Sequence, residues 1–307
     1  GNLLWKRNIY KKLKKKINKK VNKKLFYTYL DQNIYIADNL GFVYSVDSKT
    51  GKIKWIINLP DKFNSSVKIA NNFIYILSKE NKLFSINSKD GSINWILPTD
   101  KAFISSGNKL ALALSKNENI FFINSIGDFY KIDKEKGKVL WSMSTINNLG
   151  EDKTDFFESS DIVIYDDIAF FSNLFEGTYA VNIENGILLW KLNFKSNLRP
   201  IVNKNNIYLL TSNGYLINIQ KKNGTVNWSV NLYKNLKRKL KDIKFNNFIL
   251  GSSKLYVTTN NGYLLICSAK NGQVEKIVKL GKSLNNFIIS NDNFYALTNK
   301  SKLIGLN

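Results

Sequence analysis

Histidine is missing from the 307-residue sequence, and cysteine and proline are rare, with one Cys and three Pro. Without histidine the chain lacks the commonest general base and the commonest transition-metal ligand. The single cysteine, Cys267, excludes an internal disulfide and a zinc site built from several thiolates. No apolar run reaches the roughly 18 residues that a membrane-spanning helix needs. These absences leave little support for metal-dependent or acid–base catalysis.

Basic residues are in large excess, because 46 Lys and Arg stand against 23 Asp and Glu and give a formal net charge of +23. An AT-rich coding sequence favours Lys, Asn and Ile and explains part of this excess. Glu also has A-rich codons and is not enriched, so the remaining charge is a physical property that favours anionic partners. Hydrophobic residues at 44% and aromatic residues at 13% indicate a globular protein.

One pattern recurs along the chain: two apolar runs, a tight turn of the form D-x-x-x-G, and a strand that ends in Trp. The first copy is "NIYIADNLGFVYSVDSKTGKIKW", and the copies that end in tryptophan do so at Trp55, Trp95, Trp141, Trp190 and Trp228. A sixth copy, "KLYVTTNNGYLLICSAKNGQVEK", has Lys276 at the Trp position. The seventh, "NFYALTNKSKLIGLN", stops before its turn and last strand. The spacing of 38 to 50 residues between Trp-type positions suits four short strands with their connections.

The turn before each final strand has a predicted geometry. Its first residue, such as Asp47, Asn87, Asp133 or Asn182, can accept backbone N–H groups inside the turn. Its glycine supplies the positive φ that ends the turn, and these glycines are Gly51, Gly91, Gly137, Gly186, Gly224 and Gly272. The first strand of each unit precedes the quoted stretch, as in "KLFYTYL" and "SVKIA".

The first five residues, "GNLLW", match the G-x-x-x-W that the seventh copy lacks, with Gly1 and Trp5 in the places of Gly51 and Trp55. A strand over residues 1–9 would complete that copy and close a ring, which removes open sheet edges. We therefore expect an all-β fold, a seven-bladed β-propeller of four-stranded blades whose last blade is closed by the N-terminal strand, in a single domain over residues 1–307. Eight blades are the alternative. The tryptophans are expected to pack each blade against the next.

The repeat G-x-[VL]-[YF]-x-[VIL]-[DN]-x-x-x-G-x-[VI]-x-W resembles that of the PQQ-like propellers, and within them the BamB family of propeller lipoproteins. The resemblance implies a non-catalytic scaffold that binds the β-barrel assembly machine through loops on one face. It also implies that the protein is located at the periplasmic side of a bacterial outer membrane. Whether a lipid anchor was attached to a removed N-terminal segment is left open.

An enzyme is the alternative that this resemblance leaves open, since quinone-dependent dehydrogenases belong to the same superfamily. Those enzymes carry calcium ligands, a catalytic Asp and often a pair of adjacent cysteines, and no such pair is present. A platform of tryptophans for a quinone is the other interpretation of the repeated Trp. We predict no catalytic residue, no cofactor and no metal site.

Three long connections between blades are the predicted partner-binding elements, because loops on a rigid scaffold commonly carry function. Two are basic, the Lys-rich insert over 10–24 and the connection over 229–244. The third, over 142–160, is acidic and aromatic. The candidate residues are Lys11, Lys15, Lys19, Lys23, Leu149, Asp155, Phe156, Phe157, Lys237, Arg238 and Lys241.

The Lys-rich insert allows several interpretations. Ile9, Leu13, Ile17, Val21 and Leu25 recur every four residues, which fits a short amphipathic helix on an anionic membrane surface. An extended insert docked on the propeller and a solvated mobile segment are the alternatives. Nucleic acid is not expected as a partner, since the charge comes with no base-reading motif. The acidic stretch "GEDKTDFFESSD" lacks the spacing of a calcium loop and is interpreted as a solvated loop.

Overall fold

The computed structural model describes residues 3–10, 22–100, 108–146, 157–236, 243–281, 284–290, 293–298 and 303–306. In these ranges the regular structure is almost entirely β, with one short 3-10 helix at Leu232–Asn235. No helix in the described part of the chain is long and apolar enough to cross a bilayer. The chain divides into two compact units, Gly1–Glu158 and Ser159–Asn307.

The first unit contains three antiparallel sheets of four strands, each built from consecutive strands. Sheet 1 comprises β1 Leu25–Leu30, β2 Asn33–Asp38, β3 Phe42–Asp47 and β4 Ile53–Asn58. Sheet 2 comprises β5 Lys68–Ala70, β6 Phe73–Leu77, β7 Lys82–Asn87 and β8 Ile93–Pro98. Sheet 3 comprises β9 Ala111–Leu114, β10 Ile120–Ile123, β11 Asp128–Ile132 and β12 Val139–Ser144.

The second unit contains four sheets of the same consecutive order. Sheet 4 comprises β13 Val163–Tyr165, β14 Ile168–Ser172, β15 Thr178–Asn182 and β16 Leu188–Leu192. Sheet 5 comprises β17 Ile201–Asn203, β18 Asn206–Leu210, β19 Tyr215–Gln220 and β20 Val226–Asn231. Sheet 6 comprises β21 Phe245–Gly251, β22 Lys254–Thr259, β23 Tyr263–Ser268 and β24 Val274–Lys279. Sheet 7 comprises β25 Leu284–Ser290, β26 Asn293–Thr298 and β27 Leu303–Leu306.

Within each unit the cores lie between neighbouring sheets and are built mainly from their second and third strands. These strands are buried on both faces, as β6 and β10 show, whereas fourth strands such as β4 alternate between half-buried and exposed side chains. Between sheets 1 and 2, for example, Tyr35 and Ala37 pack with Ile74, Ile76 and Phe84. A strand buried on both faces is continuously apolar, which explains runs such as "IFFI".

The predicted turn before each fourth strand is confirmed in sheet 1. Gly51 has a φ of 67°, and the Asp47 carboxylate accepts the backbone N–H groups of Lys49 at 3.1 Å and Thr50 at 2.8 Å. The hydrogen bonds from Thr50 lower the pKa of Asp47. Asn87, Asp133 and Asn182 accept backbone N–H groups in the same way.

The packing of tryptophan on the turn glycine of the following sheet is also present. A Cβ added at Gly91 would lie 2.9 Å from the Trp55 ring, and one at Gly137 would lie 2.5 Å from the Trp95 ring. In the second unit, a Cβ at Gly224 would lie 3.1 Å from Trp190. Only glycine fits both the positive φ and this close approach of an indole, which explains the G-x-x-x-W motif.

The N-terminal segment takes part in the same packing. A Cβ at Gly51 would lie 2.6 Å from the Trp5 ring, and Trp5 Nε1 donates to the Ser48 carbonyl at 2.8 Å. Trp5 therefore covers sheet 1 as Trp55 covers sheet 2. Residues 3–8 have no regular secondary structure, and sheet 7 has three strands in the part of the chain that the structure describes. Strand pairing by residues 1–9 stays a prediction, as does the single domain, and Gly1 lies outside the described residues.

Candidate partner-binding site

The structure describes two of the predicted partner-binding residues, Lys23 and Phe157. The others lie outside the described residues: Lys11, Lys15, Lys19, Leu149, Asp155, Phe156, Lys237, Arg238 and Lys241. What the structure does show is how the chain enters and leaves each of the long connections. Partner binding by the candidates stays a prediction.

Phe157 fixes the end of the acidic and aromatic connection to sheet 3. Its side chain is 4% exposed, and a Cβ added at Gly127 would lie 2.9 Å from its ring and 3.0 Å from Ile146. Gly127 lies in the turn between β10 and β11. Ile146 and Phe157, which flank residues 147–156 outside the description, therefore pack on the same turn. The Phe157 ring is therefore a packing group in this structure.

The Lys-rich insert begins at a buried carboxylate. Tyr10 Oη donates to Asp38 Oδ2 at 2.8 Å, while Asp38 Oδ1 accepts the backbone N–H groups of Leu40 and Phe42 at 2.9 Å each. Asp38 is fully buried at the end of β2. The Tyr10 ring meets Tyr44 edge-on, at 6.5 Å between centroids. Asp38 thus anchors Tyr10, the first residue of the insert, to sheet 1.

The environment keeps both tyrosines protonated. Burial raises the pKa of Tyr10 far above its ordinary value, and the hydrogen bond to Asp38 raises it further. Burial and the Asp38 charge raise the pKa of Tyr44 in the same direction. A protonated Tyr10 is required for this contact, because only the neutral phenol can donate to a carboxylate.

The insert returns to the neighbouring residue, Asn39. The Lys24 N–H donates to Asn39 Oδ1 at 2.8 Å, and Asn39 N–H donates back to the Lys24 carbonyl at 3.2 Å. Asn39 Nδ2 also donates to the Asn22 carbonyl at 2.9 Å. The Lys23 ammonium lies 5.6 Å from the centroid of the Tyr10 ring, so the start and the end of the insert are adjacent. The described ends of the Lys-rich insert, residue 10 and residues 22–24, are therefore both held on one turn of sheet 1.

The second basic connection is held in the same manner in sheet 6. The Lys244 N–H donates to Asn260 Oδ1 at 2.9 Å, and Asn260 N–H donates to the Lys244 carbonyl at 2.9 Å. At its start, Tyr233 of the 3-10 helix packs on Gly214 and donates its Oη to the Ile243 carbonyl at 3.0 Å. A tyrosine at the start and an asparagine at the end therefore hold both basic connections. These four residues carry no mark in the sequence repeat that distinguishes them.

Two hollows lie beside the second basic connection. One of about 470 Å³ is lined by Phe194, Lys195 and Thr211 among others. The other, of about 220 Å³, is lined by Leu198, Lys244 and Phe245 among others. Both are at the end of sheet 5 where β18 turns into β19. Each hollow combines apolar side chains with one lysine, Lys195 or Lys244.

Catalytic chemistry is not assembled among the described residues. No group of three or more His, Cys, Asp or Glu side chains is placed to hold a metal ion in that part of the chain. Burial raises the pKa of the Cys267 thiol to about 12, so this side chain stays protonated and unreactive at neutral pH.

Comparisons with known proteins agree with this architecture. A family model described as outer membrane protein assembly factor BamB matches residues 1–230 and 192–307. The crystal structure of BamB from Moraxella catarrhalis is similar with a TM-score of 0.74 and 14% identity, over 89% of this chain and 81% of that chain. A europium-containing methanol dehydrogenase is similar with a TM-score of 0.66 and 9% identity, over 90% of this chain and 71% of that chain. No curated protein has a matching sequence.

The structural likenesses, both at low identity, bear on the fold alone. Together with six sheets of four strands and one of three, they show an all-β chain with the fold of a seven-bladed β-propeller. The alternative of eight blades is not needed to account for the sheets.

Proposed function

Because this chain belongs to the family of outer membrane protein assembly factor BamB, we propose that it is a non-catalytic scaffold in the assembly of outer-membrane β-barrel proteins. It acts at the periplasmic side of a bacterial outer membrane and binds a protein of the assembly machine. The family and the fold support a binding role. The sequence contains neither histidine nor a pair of cysteines, which weakens the case for an enzyme.

Each unit has one proposed partner-binding element: the Lys-rich insert in the first unit, and in the second unit the second basic connection with the hollows beside it. The observation that carries this proposal is that the described ends of both connections are held by a tyrosine and an asparagine. These are Tyr10 and Asn39 at sheet 1 in the first unit, and in the second unit Tyr233, which packs on sheet 5, and Asn260 of sheet 6. A segment whose two ends are held has less conformational entropy to lose on binding than a free tail has. Binding of its lysines to an acidic surface is therefore less costly.

The attraction is electrostatic and therefore sensitive to salt. Exposed charges are screened over about 8 Å at physiological ionic strength, and an exposed pair contributes about 0.2–1 kcal/mol. Removing three lysines from one connection should then weaken binding roughly three- to a hundredfold at low salt, and less at high salt.

A charge-matched comparison tests this proposal. The variant Lys11→Gln/Lys15→Gln/Lys19→Gln loses three charges from the Lys-rich insert. The control Lys49→Gln/Lys89→Gln/Lys136→Gln loses three exposed charges from the turns at the opposite end of sheets 1, 2 and 3. Surface plasmon resonance against the periplasmic part of the machine's barrel-forming subunit should show weaker binding for the first variant alone. Equal weakening would mean that net charge, and not this surface, drives association. Unchanged binding to the subunit, with loss of binding to anionic vesicles, would assign the insert to the membrane instead.

A second candidate function is oxidation with a quinone cofactor. The observation in its favour is the shared fold with a methanol dehydrogenase, at 9% identity. The sequence offers neither a histidine nor a cysteine pair for such a reaction.

A further inference from the structure

Four indoles of the repeat make the same hydrogen bond. Each indole lies over the glycine of the turn in the following sheet, with the atoms at or next to its ring fusion nearest to that glycine. Its Nε1–H donates a hydrogen bond to a backbone carbonyl in the same turn. The donor–acceptor pairs are Trp5 with Ser48 at 2.8 Å, Trp55 with Ser88 at 2.9 Å, Trp95 with Lys134 at 3.1 Å, and Trp190 with Lys221 at 3.0 Å. This bond anchors the indole as firmly as its contact with the glycine.

Trp228 departs from that pattern. Its ring lies over Gly272 with the outer benzo atoms Cζ3 and Cε3 closest, so the indole is displaced along the turn. The carbonyl in the corresponding place, that of Ala269, accepts Tyr208 Oη at 3.3 Å instead. Among the residues that the structure describes, none accepts a hydrogen bond from Trp228 Nε1. An indole N–H is a donor only, so this group is available to a ligand.

The displaced indole borders a groove between sheets 5 and 6. The groove has a volume of about 1020 Å³ and is lined by Asn203, Asn206, Asn218 and Asn227 together with Tyr208 and Trp228. It lies at the end of the sheets that carries the β17–β18 turn and the β19–β20 turn. The second basic connection and its hollows lie at the opposite end, so the groove is separate from the proposed partner surface.

A second unpaired donor belongs to this groove. Asn218 is 3% exposed and accepts a hydrogen bond from Asn227 Nδ2 at 2.5 Å through its Oδ1, while its own Nδ2 has no partner among the described residues. The residues opposite tryptophan in sheets 1, 2 and 4 are Ser45, Ser85 and Ala180. The side chain of Asn218, opposite Trp228 in sheet 5, is therefore larger than those of its counterparts in sheets 1, 2 and 4, whereas sheet 3 has Lys131 at this position. A buried amide without a partner is unusual in a folded protein and calls for a ligand or a bound water.

The charge of the groove selects among ligands. Lys254 and Glu275, which also line it, form an ion pair of 3.0 Å and offset each other. Lys270 adds a further cation, and the rest of the polar wall is made of neutral amides and hydroxyls beside the aromatic rings of Tyr208 and Trp228. Ammonium, amide and indole N–H groups all donate, so the ligand must offer oxygen acceptors together with apolar faces that pack on aromatic rings.

We propose that the groove between sheets 5 and 6 binds a neutral oligosaccharide. Sugar rings present hydroxyl and ring oxygens at their edges, which can accept from Asn218 Nδ2 and Trp228 Nε1. Their faces are C–H groups, which pack on the rings of Trp228 and Tyr208. An extended peptide fits the arrangement less well, because the unpaired donors are side chains and a peptide is normally held by the backbone of a strand edge.

Two variants and a matched control test this site. Trp228→Phe keeps a ring over Gly272 but removes the N–H donor. Asn218→Ser installs the residue found at Ser45 and Ser85 and removes the amide. The control Trp95→Phe makes the same change where the N–H is already bonded to Lys134. The probes are the tetrasaccharides of N-acetylglucosamine and of β-1,4-linked glucose, measured by calorimetry and saturation-transfer NMR, with thermal unfolding as a check of folding.

At least one tetrasaccharide should bind the unmodified chain saturably. Each groove variant should weaken that binding about tenfold, the effect of losing one hydrogen bond, while Trp95→Phe leaves it unchanged. Absence of saturable binding of both sugars at millimolar concentration would overturn the proposal. So would an equal loss in the Trp95→Phe control. Binding of a capped, uncharged hexapeptide in place of the sugars would assign the groove to peptides.

Discussion

Replacing Trp5 with alanine should destabilise the first unit although the residue lies near the chain terminus. Trp5 is held over Gly51 and bonded to the Ser48 carbonyl, and Arg7 Nε adds a hydrogen bond of 2.7 Å to the Gly51 carbonyl. A buried aromatic removes about 150–250 Å² from water, and Trp5 is partly buried, so roughly 100 Å² or more is lost. At about 25 cal/mol per Å² this area corresponds to about 2.5 kcal/mol. The lost hydrogen bond adds about 1 kcal/mol.

The expected loss in the free energy of unfolding is therefore about 3.5 kcal/mol, close to that of other aromatic truncations. For a unit of this size, 1 kcal/mol lowers the melting temperature by about 2–4 °C, so the transition should shift by roughly 7–14 °C. Differential scanning calorimetry measures it. The neighbouring variant Leu4→Ala is the control, because Leu4 is 84% exposed and should cost less than about 0.5 kcal/mol. Equal melting temperatures for the two variants would refute the assignment of Trp5 as the indole of sheet 1.

The remaining predictions concern the Lys-rich insert and cofactor binding. Because the pKa of Tyr10 is raised in the folded state, its contribution to stability is complete below about pH 10, the ordinary pKa of tyrosine, and is lost as the pH rises above it. Urea unfolding at pH 8 and pH 10.5 should thus show a smaller pH-dependent loss in Tyr10→Phe than in the unmodified chain, and parallel losses would contradict the contact with Asp38. Calorimetric titration with pyrroloquinoline quinone and Ca²⁺ should give no binding tighter than millimolar, and micromolar affinity would favour the dehydrogenase alternative.

The sheets could be predicted from the sequence because each element has a local cause. Buried strands are apolar runs, the turn before each fourth strand needs a positive φ, and the glycine that supplies it also admits an indole. Gly51 and Trp55 carry this information within five residues. The attachment of the basic connections has no such local cause. Tyr10 and Asp38 are separated by 28 positions, and either residue alone has many structural interpretations.

The apolar positions of the Lys-rich insert were only partly informative. The spacing from Ile9 onward allowed a helix, a docked insert or a solvated segment, and Ile9 itself packs on Phe42, Tyr44 and Val46. The displacement of Trp228 could not be predicted from its G-x-x-x-W, Gly224 to Trp228, which conforms to the pattern. A tyrosine also lies beside Trp55 and Trp95, so the hydrogen bond from Tyr208 to Ala269 does not by itself explain the difference.

The direction of the indole contacts has a consequence for how the chain is made. Within each unit the tryptophan always precedes the glycine that it covers, as Trp55 precedes Gly91 and Trp190 precedes Gly224. During synthesis, which starts at the N-terminus, each indole is therefore made before the sheet whose turn it covers. With 38 to 50 residues between Trp-type positions and synthesis at about 5–20 residues per second, a new sheet is completed roughly every 2–10 seconds. Within a unit, each new sheet can dock on the indole of the preceding sheet, so the apolar surface left uncovered in that unit is limited to the most recent sheet. Trp5 extends this order to sheet 1, because it precedes Gly51 in the sequence and lies over it.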